Sequence, residues 1–463
     1  MAKKKSTDIL DLLPLPGLYE LAKPKSATTA GQSETGYHWK IGAEPPVLGV
    51  HSVAKHEIFE RYVRIYIDTL TKSHVQTRLN LTIVDGFCGG GRYRLDGAEV
   101  DGSPLRMLHA VEQAQSALEE ARARGFTIAA DFVFIDENAE HLAYLRDLLI
   151  KRGFGDRLGK DIRLVKSTFE EAAPNVIDSI RKKGRAHRSL FFLDQYGWSD
   201  VKLATVRKIM GELTNPEIVL TFMVDALANL LCEKNSSIRA LANIDLNRED
   251  ARELIAMKNN KGWKRIIQNT LYQHIQGHTG AAFYTPFFIH PPESHRDYWL
   301  LHLSKHHQAR EEMGNVFWGI QNTMEHFGGP GLDALGFDPG VDMRQGMMDY
   351  TFDDNAEARS KKLLLEQIPR LLHTATIGGA AVTKRDLFAL RANDTPVVSK
   401  IVDSQLAELR DAGEIVILAD KKDSTGKVIG STVRERASRY SWDDRIQFTR
   451  QIPMFSLLRD EAA

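Results

Sequence analysis

Apolar residues recur along the chain in two patterns that alternate from residue 51 to about residue 320. A first stretch has apolar positions three and four residues apart, which predicts an amphipathic helix. Short and mostly apolar runs then predict strands at 79–87, 131–136, 162–165, 189–193, 217–224, 281–289 and 297–303. The stretches between them predict helices at 105–121, 139–151, from 169, 200–213 and 305–320. Apolar strands that alternate with helices predict an α/β fold built on a parallel sheet that is covered on both faces.

The same patterns divide the chain into segments. Residues 1–50 mix Pro, Gly, Ser and Thr with few periodic apolar positions, which predicts a flexible arm. Residues 51–330 hold the alternating pattern, with a helical insertion at about 226–280. A polar linker is predicted at 331–360, after a Gly/Pro-rich break. Three helices and a β-hairpin are predicted at 361–450, which is the pattern of a winged helix, and 451–463 form a tail.

An even charge balance and a low cysteine count narrow the class of protein. The chain has 61 Lys and Arg against 61 Asp and Glu, and its 43% of hydrophobic residues excludes disorder throughout. No apolar run approaches the ~20 residues that span a bilayer, and the basic start lacks the apolar core of a secretory signal. Two cysteines, Cys88 and Cys232, exclude a disulfide framework and a Cys-x-x-Cys metal site. We therefore expect a cytoplasmic protein with no membrane partner.

The most informative motif is a glycine-rich turn directly after the first apolar strand, Asp85-Gly-Phe-Cys-Gly-Gly-Gly-Arg-Tyr93. Ligands of open α/β sheets bind at the carboxyl ends of the strands, and glycine lets the backbone approach them closely. An acid followed by Gly89 and Gly91 resembles the first motif of class I S-adenosylmethionine-dependent methyltransferases. The predicted fold is therefore a Rossmann-like class I methyltransferase fold. A tight turn with a purely structural role is the alternative.

Two further predicted strands also end in acids. Asp136 ends the second strand, where a carboxylate can accept hydrogen bonds from both hydroxyls of a ribose. Its alternative role is to cap the following helix. The fourth strand runs into Asp194, Gln195 and Tyr196. Because three strand ends carry acids at one edge of the sheet, we expect a binding site there.

The end of the fourth strand suits chemistry on an exocyclic amine of adenine. That amine is a poor nucleophile, and Asp194 with a nearby backbone carbonyl can accept its two hydrogens while Tyr196 stacks on the base. Methyl transfer from a sulfonium donor needs no metal, and a base inside a duplex has to be flipped out first. The alternative is that Asp194 caps the next helix and Tyr196 packs in the core.

Several segments together resemble the three-Cys-motif partner proteins (TcmP). They are His51-Ser-Val-Ala-Lys-His56, the turn from Asp85, Gly102-Ser-Pro104, Leu193-Asp-Gln-Tyr-Gly-Trp-Ser199 and the run from Leu303 to Trp318. This resemblance implies a partner that carries three cysteines, a phage-associated protein similar to radical S-adenosylmethionine enzymes. The biochemical activity of the family is poorly defined.

A more distant resemblance is to the bacterial enzyme that N6-methylates adenine in large-subunit ribosomal RNA. It implies that His56, Ser103 and Asp136 contact the cofactor, that Asp194 holds the target amine and that Tyr196 stacks on the base. The chain departs from that pattern, with Gln195-Tyr196 for Pro-Pro, Ser167-Thr168 for the third-strand acid and Phe87 for a histidine. The predicted catalytic residues are Asp194, Gln195 and Tyr196. The predicted S-adenosylmethionine site comprises Lys55, His56, Asp85, Gly86, Phe87, Gly89, Gly91, Ser103, Asp136, Thr168 and Asp194.

Basic residues in the predicted winged helix indicate contact with nucleic acid. They are Lys400, Lys421, Lys422, Lys427, Arg434 and Arg436. Protein interaction and ordinary solvated charge are the alternatives. Histidines 302, 306 and 307 could suggest a metal site, but no nearby carboxylate completes a ligand set, and we predict none.

Two functions therefore remain open from the sequence. One is a methyltransferase that acts on a nucleic-acid amine. The other is a non-catalytic, methyltransferase-like partner of nucleic acid and of a three-cysteine protein, in phage defence or phage biology.

Overall fold

A computed structural model describes most of the chain between residues 37 and 449. The described residues are 37–123, 125–223, 227, 231–232, 234–259, 263–289, 298–319, 325–326, 350–351, 354–375, 381–389, 391–395, 397–425 and 427–449. Most of the predicted arm and linker, and the whole predicted tail, lie outside these residues.

The strands and helices are numbered here in chain order. The strands are β1 (Arg78–Asp85), β2 (Arg92–Leu95), β3 (Ala98–Asp101), β4 (Thr127–Asp136), β5 (Ile162–Lys166), β6 (Arg188–Leu193), β7 (Glu217–Phe222), β8 (Phe283–Ile289), β9 (Tyr298–Ser304), β10 (Glu325–His326), β11 (Tyr350–Thr351), β12 (Val382–Thr383), β13 (Ile415–Lys422), β14 (Val428–Val433) and β15 (Arg445–Phe448). The helices are α1 (Val50–Leu70), α2 (Ser103–Ala121), α3 (Ala139–Lys151), α4 (Phe169–Lys182), α5 (Leu203–Glu212), α6 (Asn235–Leu241), α7 (Arg248–Met257), α8 (Trp263–His278), α9 (His307–Gly319), α10 (Asp354–Ala375), α11 (Lys384–Ala389) and α12 (Ser399–Asp411).

Seven of these strands form one mixed sheet in the order β5-β4-β1-β6-β7-β9-β8. The pairs among β5, β4, β1, β6 and β7 are parallel, which confirms the predicted α/β arrangement. Strand β9 runs antiparallel to both β7 and β8, and the sequence pattern did not predict this reversal. The hairpin β2–β3, which follows the glycine-rich turn, was also missed.

Side chains of the strands alternate between two hydrophobic clusters, one on each face of the sheet. Phe191 packs with helices α4, α5 and the helices of the predicted insertion, α6 to α8. Its neighbour Phe192 packs on the other face, with α1, α2, α3 and α9. Because both faces are covered, the central strands consist mostly of apolar residues, and every residue of β7 is buried. None of the helices in the described part is long and apolar enough to cross a bilayer.

The C-terminal residues form their own hydrophobic cluster around α10, α11 and α12. A four-stranded sheet accompanies them, in the order β12-β15-β13-β14, with antiparallel pairing throughout. The three predicted helices and the β13–β14 hairpin are therefore present, and the assignment as a winged helix stays a prediction. The described residues from His38 to 449 belong to one compact unit.

A buried arginine fixes the C-terminal residues to the large sheet. Arg310 on α9 is fully buried and donates hydrogen bonds to the carbonyl oxygens of Ala392 (3.1 Å), Val397 (2.7 Å) and Thr395. The neighbouring Glu311 accepts a bond from the backbone N–H at the start of α12 (2.5 Å).

Candidate functional site

The three predicted acids lie at the ends of three adjacent strands. Strand β1 lies between β4 and β6, and Asp85 is in register with Phe134 and Phe192. Asp136 lies two residues after Phe134, and Asp194 lies two residues after Phe192. Because side chains alternate along a strand, residues two apart point to the same face, so the three carboxylates lie on one side of the sheet edge.

Asp85 is the most deeply buried of the three acids, with 2% of its surface exposed. Its carboxylate accepts hydrogen bonds from the Ser103 hydroxyl (2.7 Å) and from the backbone N–H of Phe87 (3.1 Å). Burial raises the pKa of Asp85 to about 7, against the effect of these two hydrogen bonds and with a smaller contribution from the charges of Asp194 and Asp136. Near neutral pH this carboxyl group is therefore poised between its two states.

Asp136 holds the glycine-rich turn in place. Its carboxylate accepts bonds from the backbone N–H groups of Gly89 (3.0 Å) and Asn138 (2.8 Å), and it lies 3.2 Å from the Nδ1 of His141. The cap of helix α3 is Asn138, which accepts a bond from the Glu140 N–H. The alternative role of Asp136, that of the helix cap, is therefore wrong.

The glycines of the turn are required by packing within the protein. A Cβ on Gly90 would lie 2.2 Å from the Cγ of Trp39, and one on Gly89 would lie 2.7 Å from its Cη2. A Cβ on Gly86 would lie 2.7 Å from Leu193. Gly89 and Gly91 also have φ of +56° and +77°, which favour glycine. The sequence explained these glycines by the close approach of a ligand, whereas the indole of Trp39 occupies the space above Gly89 and Gly90.

Trp39 belongs to an aromatic group whose contacts the sequence did not predict. Its indole N–H donates to the carbonyl of Arg92 (2.5 Å), and its ring makes edge contacts with Tyr93 (5.2 Å) and His141 (4.8 Å). The predicted cofactor residue His56 is buried, with its ring centroid 5.4 Å from that of Tyr93. An aromatic residue in a Pro/Gly-rich arm was the only sequence signal for this contact.

Lys55 brings helix α1 to the end of strand β6. Its ammonium group lies 2.6 Å from one oxygen of Asp194 and 2.8 Å from the other. Burial opposes ionisation of Asp194, but the charge and hydrogen bonds of Lys55 outweigh it, so the pKa of Asp194 is lowered. Asp194 is thus held as a carboxylate, and the predicted residues Lys55 and Asp194 form one ion pair.

The two residues after Asp194 have different surroundings. Gln195 is buried, and its amide donates to the carbonyl of Thr221 (3.0 Å) and accepts from the N–H groups of Asp200 (2.9 Å) and Val201 (3.0 Å). Its side chain therefore shapes the loop, and the catalytic role of Gln195 stays a prediction. Tyr196 is 72% exposed, so the alternative that it packs in the core is wrong.

The remaining predicted cofactor residues flank the acids. Thr168 caps helix α4 by accepting a bond from the Glu171 N–H (3.3 Å), which gives its hydroxyl a structural role. Phe87 is half-buried, with its ring 6.4 Å from that of Phe169. Ser103 begins helix α2 and is bonded to Asp85, as already described.

The predicted basic residues of the C-terminal sheet differ in their surroundings. Arg434 pairs with Asp444 at 3.3 Å, so part of its charge is neutralised. The side chain of Lys422 lies outside the described part. The exposed members of the set are Lys400, Lys421, Lys427 and Arg436.

The histidines that raised the question of a metal have other contacts. His302 is buried, with Nε2 2.9 Å from the Tyr62 hydroxyl and 3.3 Å from Glu217, a carboxylate that the sequence did not place there. The side chain of Arg385 contacts the ring of His307 (3.0 Å). In the part of the chain that is described, no group of three or more His, Cys, Asp or Glu could hold a metal ion.

Comparison with known proteins gives distant structural likenesses. No family model matches the chain, and neither does any curated protein. A conserved hypothetical protein from Streptococcus pyogenes is 19% identical over 34% of this chain and 74% of its own, with a TM-score of 0.20.

Two solved methyltransferases are also among the likenesses. The SAM-dependent methyltransferase from Agrobacterium tumefaciens is 10% identical over 56% of this chain and 63% of its own, less than two thirds, with a TM-score of 0.28. An rRNA methylase from Streptococcus thermophilus is 10% identical over 54% of this chain and 95% of its own, with a TM-score of 0.24. TM-scores this low support no conclusion about function.

Proposed function

We propose that this protein is an S-adenosylmethionine-dependent methyltransferase that acts on an exocyclic amine of a nucleic-acid base. The observation that carries the proposal is the set of three carboxylates at adjacent strand ends, with Asp194 held ionised by Lys55. Strand β1 lies between β4 and β6, where the strand order reverses, and this switch point at the acidic edge supports the proposal. Ligands of such sheets bind at this edge.

The chemistry of these side chains fits the proposed cofactor. S-adenosylmethionine carries a positive sulfonium and an ammonium group, and a buried carboxyl group such as Asp85 gains a counter-charge when a cation binds beside it. Asp136 has both oxygens engaged in the turn, yet a carboxylate has about four acceptor positions and three of them are used here. We assign the cofactor to Asp85, Ser103, Asp136 and His56, away from the space that Trp39 fills. When bound, it supplies an electrophilic methyl group.

The residues around Asp194 would position the target base. The Asp194 carboxylate accepts a hydrogen bond from the target amine, which fixes the direction of the nitrogen lone pair. Lys55 keeps this carboxylate ionised, so it remains an acceptor and a weak base, and the proton released from the amine passes to water. Tyr196, with most of its ring exposed, offers a face on which the base stacks.

Calorimetry with S-adenosylmethionine tests the cofactor assignment. We expect Asp136→Asn to weaken binding about tenfold, the typical cost of losing a charge-assisted hydrogen bond. Asp131→Asn is a matched control, because Asp131 is also on β4 but pairs with Lys183 (2.7 Å) away from the strand ends. The proposal fails if the wild type does not bind, or if both variants bind equally well.

Methyl transfer onto RNA and DNA pools tests the reaction itself. Lys55→Met removes the charge that lowers the pKa of Asp194, so transfer should fall about 10- to 100-fold while cofactor affinity changes less. Asp194→Asn keeps the shape of the side chain and should lose transfer to a similar extent. Wild-type rates in both variants would contradict the role given to this pair.

A second candidate function is favoured by the same ion pair. Lys55 donates hydrogen bonds to both oxygens of Asp194, and Gln195 joins the next residues to the sheet. These polar side chains at the end of β6 therefore have hydrogen-bond partners within the protein, without a substrate. On this view the protein is a non-catalytic partner of nucleic acid and of a three-cysteine-motif protein in phage defence or phage biology. Cofactor binding without transfer to any pool, together with co-purification of such a protein, would favour it.

A further inference from the structure

A polar cleft lies on the C-terminal unit, between helices α10 and α12 and the loop before Tyr440. Its volume is about 210 Å³, and it is lined by Lys361, Lys400, Ser404, Ser438 and Arg439 together with two acids. Lys400 belongs to the predicted basic set. The cleft lies outside the strand-end site and has no part in the chemistry assigned to that site.

The charge of the cleft is positive once its ion pairs are counted. The two acids are Glu357, which pairs with Lys361 (2.5 Å), and Asp403, which pairs with the buried Lys384 (2.5 Å). Lys400 and Arg439 are exposed, and neither has an ion pair within 4.0 Å among the described residues. The lining holds three cations and two acids, an excess of one positive charge. Lys384, which neutralises Asp403 without lining the cleft, brings the excess to two, carried by Lys400 and Arg439.

The cleft also contains hydroxyl groups next to these cations. Ser404 lies one helical turn after Lys400 on α12, so the two side chains share a face, and Ser438 precedes Arg439. In proteins, phosphate oxygens accept hydrogen bonds from ammonium, guanidinium and hydroxyl groups. The start of α12 itself is occupied, because Glu311 accepts the N–H of Ser399. An anion here would therefore be bound by side chains.

We propose that this cleft binds a phosphate group of a nucleic-acid backbone, and the choice of nucleic acid rests on the proposed function. Asn393, which precedes α12, accepts a hydrogen bond from the backbone N–H of Tyr284 on β8 (2.9 Å), so the C-terminal residues contact the sheet at a strand four places from β1. At ~4.8 Å between strands, β8 lies roughly 20 Å across the sheet from β1, which ends in Asp85. A ligand that reaches both places has to be a polymer, so the cleft positions a chain whose target base lies elsewhere along it.

Fluorescence anisotropy with a labelled stem-loop RNA and a duplex DNA of the same sequence tests the proposal. Lys400→Glu and Arg439→Glu should each weaken binding about five- to tenfold and reduce the slope of log K against log salt by about one. Lys362→Glu is the matched control, since Lys362 is exposed on α10 but does not line the cleft. It makes the same change of net charge and should alter binding less than twofold.

The outcomes separate this proposal from the proposed function. Equal losses of nucleic-acid affinity in all three variants would show a diffuse effect of charge and overturn the proposal. Failure of the wild type to bind either nucleic acid would also overturn it. If calorimetry detects inorganic phosphate binding that depends on Lys400 and Arg439 while both nucleic acids bind all variants alike, the ligand is a free phosphate and the proposal fails. Binding of S-adenosylmethionine is measured in parallel, and its absence would end the methyltransferase proposal while leaving the cleft intact.

Discussion

The contact between Gly90 and Trp39 gives the sharpest test of why the turn after β1 is rich in glycine. A methyl group on Gly90 would lie 2.2, 2.5 and 2.7 Å from the Cγ, Cδ1 and Cβ of Trp39. Cβ and Cγ lie close to the Trp39 backbone, so rotation of the ring about the Cβ–Cγ bond does not move them away from Gly90. Because Gly90 is not among the residues of positive φ, alanine can adopt its backbone conformation without strain. Gly90→Ala therefore tests the contact alone.

The expected magnitude follows from what the ring would lose. Adding a methyl group to a packed site costs about 1–3 kcal/mol when neighbours shift. If the ring leaves altogether, the indole bond to Arg92 is lost as well, at about 1 kcal/mol net. We expect Gly90→Ala to lower the free energy of unfolding by about 2–4 kcal/mol and Trp39→Ala by about 3–5 kcal/mol. In the double variant most of the Gly90→Ala cost should vanish, which gives a coupling of about 2 kcal/mol.

Urea unfolding followed by far-UV circular dichroism measures these free energies. Gly211→Ala serves as the control, because nothing lies within 4 Å of its Cβ position, and in helix α5 it should add about 0.5–1 kcal/mol of stability. Additive effects of Gly90→Ala and Trp39→Ala would refute the packing explanation. Unchanged stability of Gly90→Ala with a loss of cofactor binding would instead restore the explanation from ligand approach.

Two further predictions concern buried charged groups. The pKa of Asp85, raised from 3.8 to about 7, means that the folded protein retains a proton which the unfolded chain releases, so the free energy of unfolding falls as pH rises from about 4 to about 7, by up to about 4 kcal/mol. Asp85→Asn should remove this loss. Urea titrations at pH 5 and pH 8 should therefore show that the free energy of unfolding falls less with pH in the variant than in the wild type. The same difference between variant and wild type at both pH values would contradict the raised pKa. Arg310→Met leaves Glu311 buried without its partner, at a cost of about 3–5 kcal/mol. Hydrogen exchange should then rise in residues 391–399 more than in β1, and equal protection in both would contradict the docking role.

The pattern of apolar residues was enough to predict the parallel part of the sheet. Strands with both faces buried consist of apolar residues, and their alternation with helices leaves few arrangements. The same logic placed Asp85, Asp136 and Asp194 together, since parallel strands end at one edge. The hairpin β2–β3 and the reversal of β9 were missed because short strands and strand direction leave little trace in composition.

What joins these strand ends was decided by contacts between distant parts of the chain. Lys55 and Asp194 are 139 residues apart, and Trp39 and Arg92 are 53 apart, so no local spacing predicts either pair. The side-chain amide of Gln195 is hydrogen-bonded to the backbone of the neighbouring loop and strand, a structural role that its position after Asp194 did not predict. Local sequence determines which side chains are available at an edge. Only packing decides which of them meet, because each buried polar group has to find a partner wherever the fold brings one within hydrogen-bonding distance.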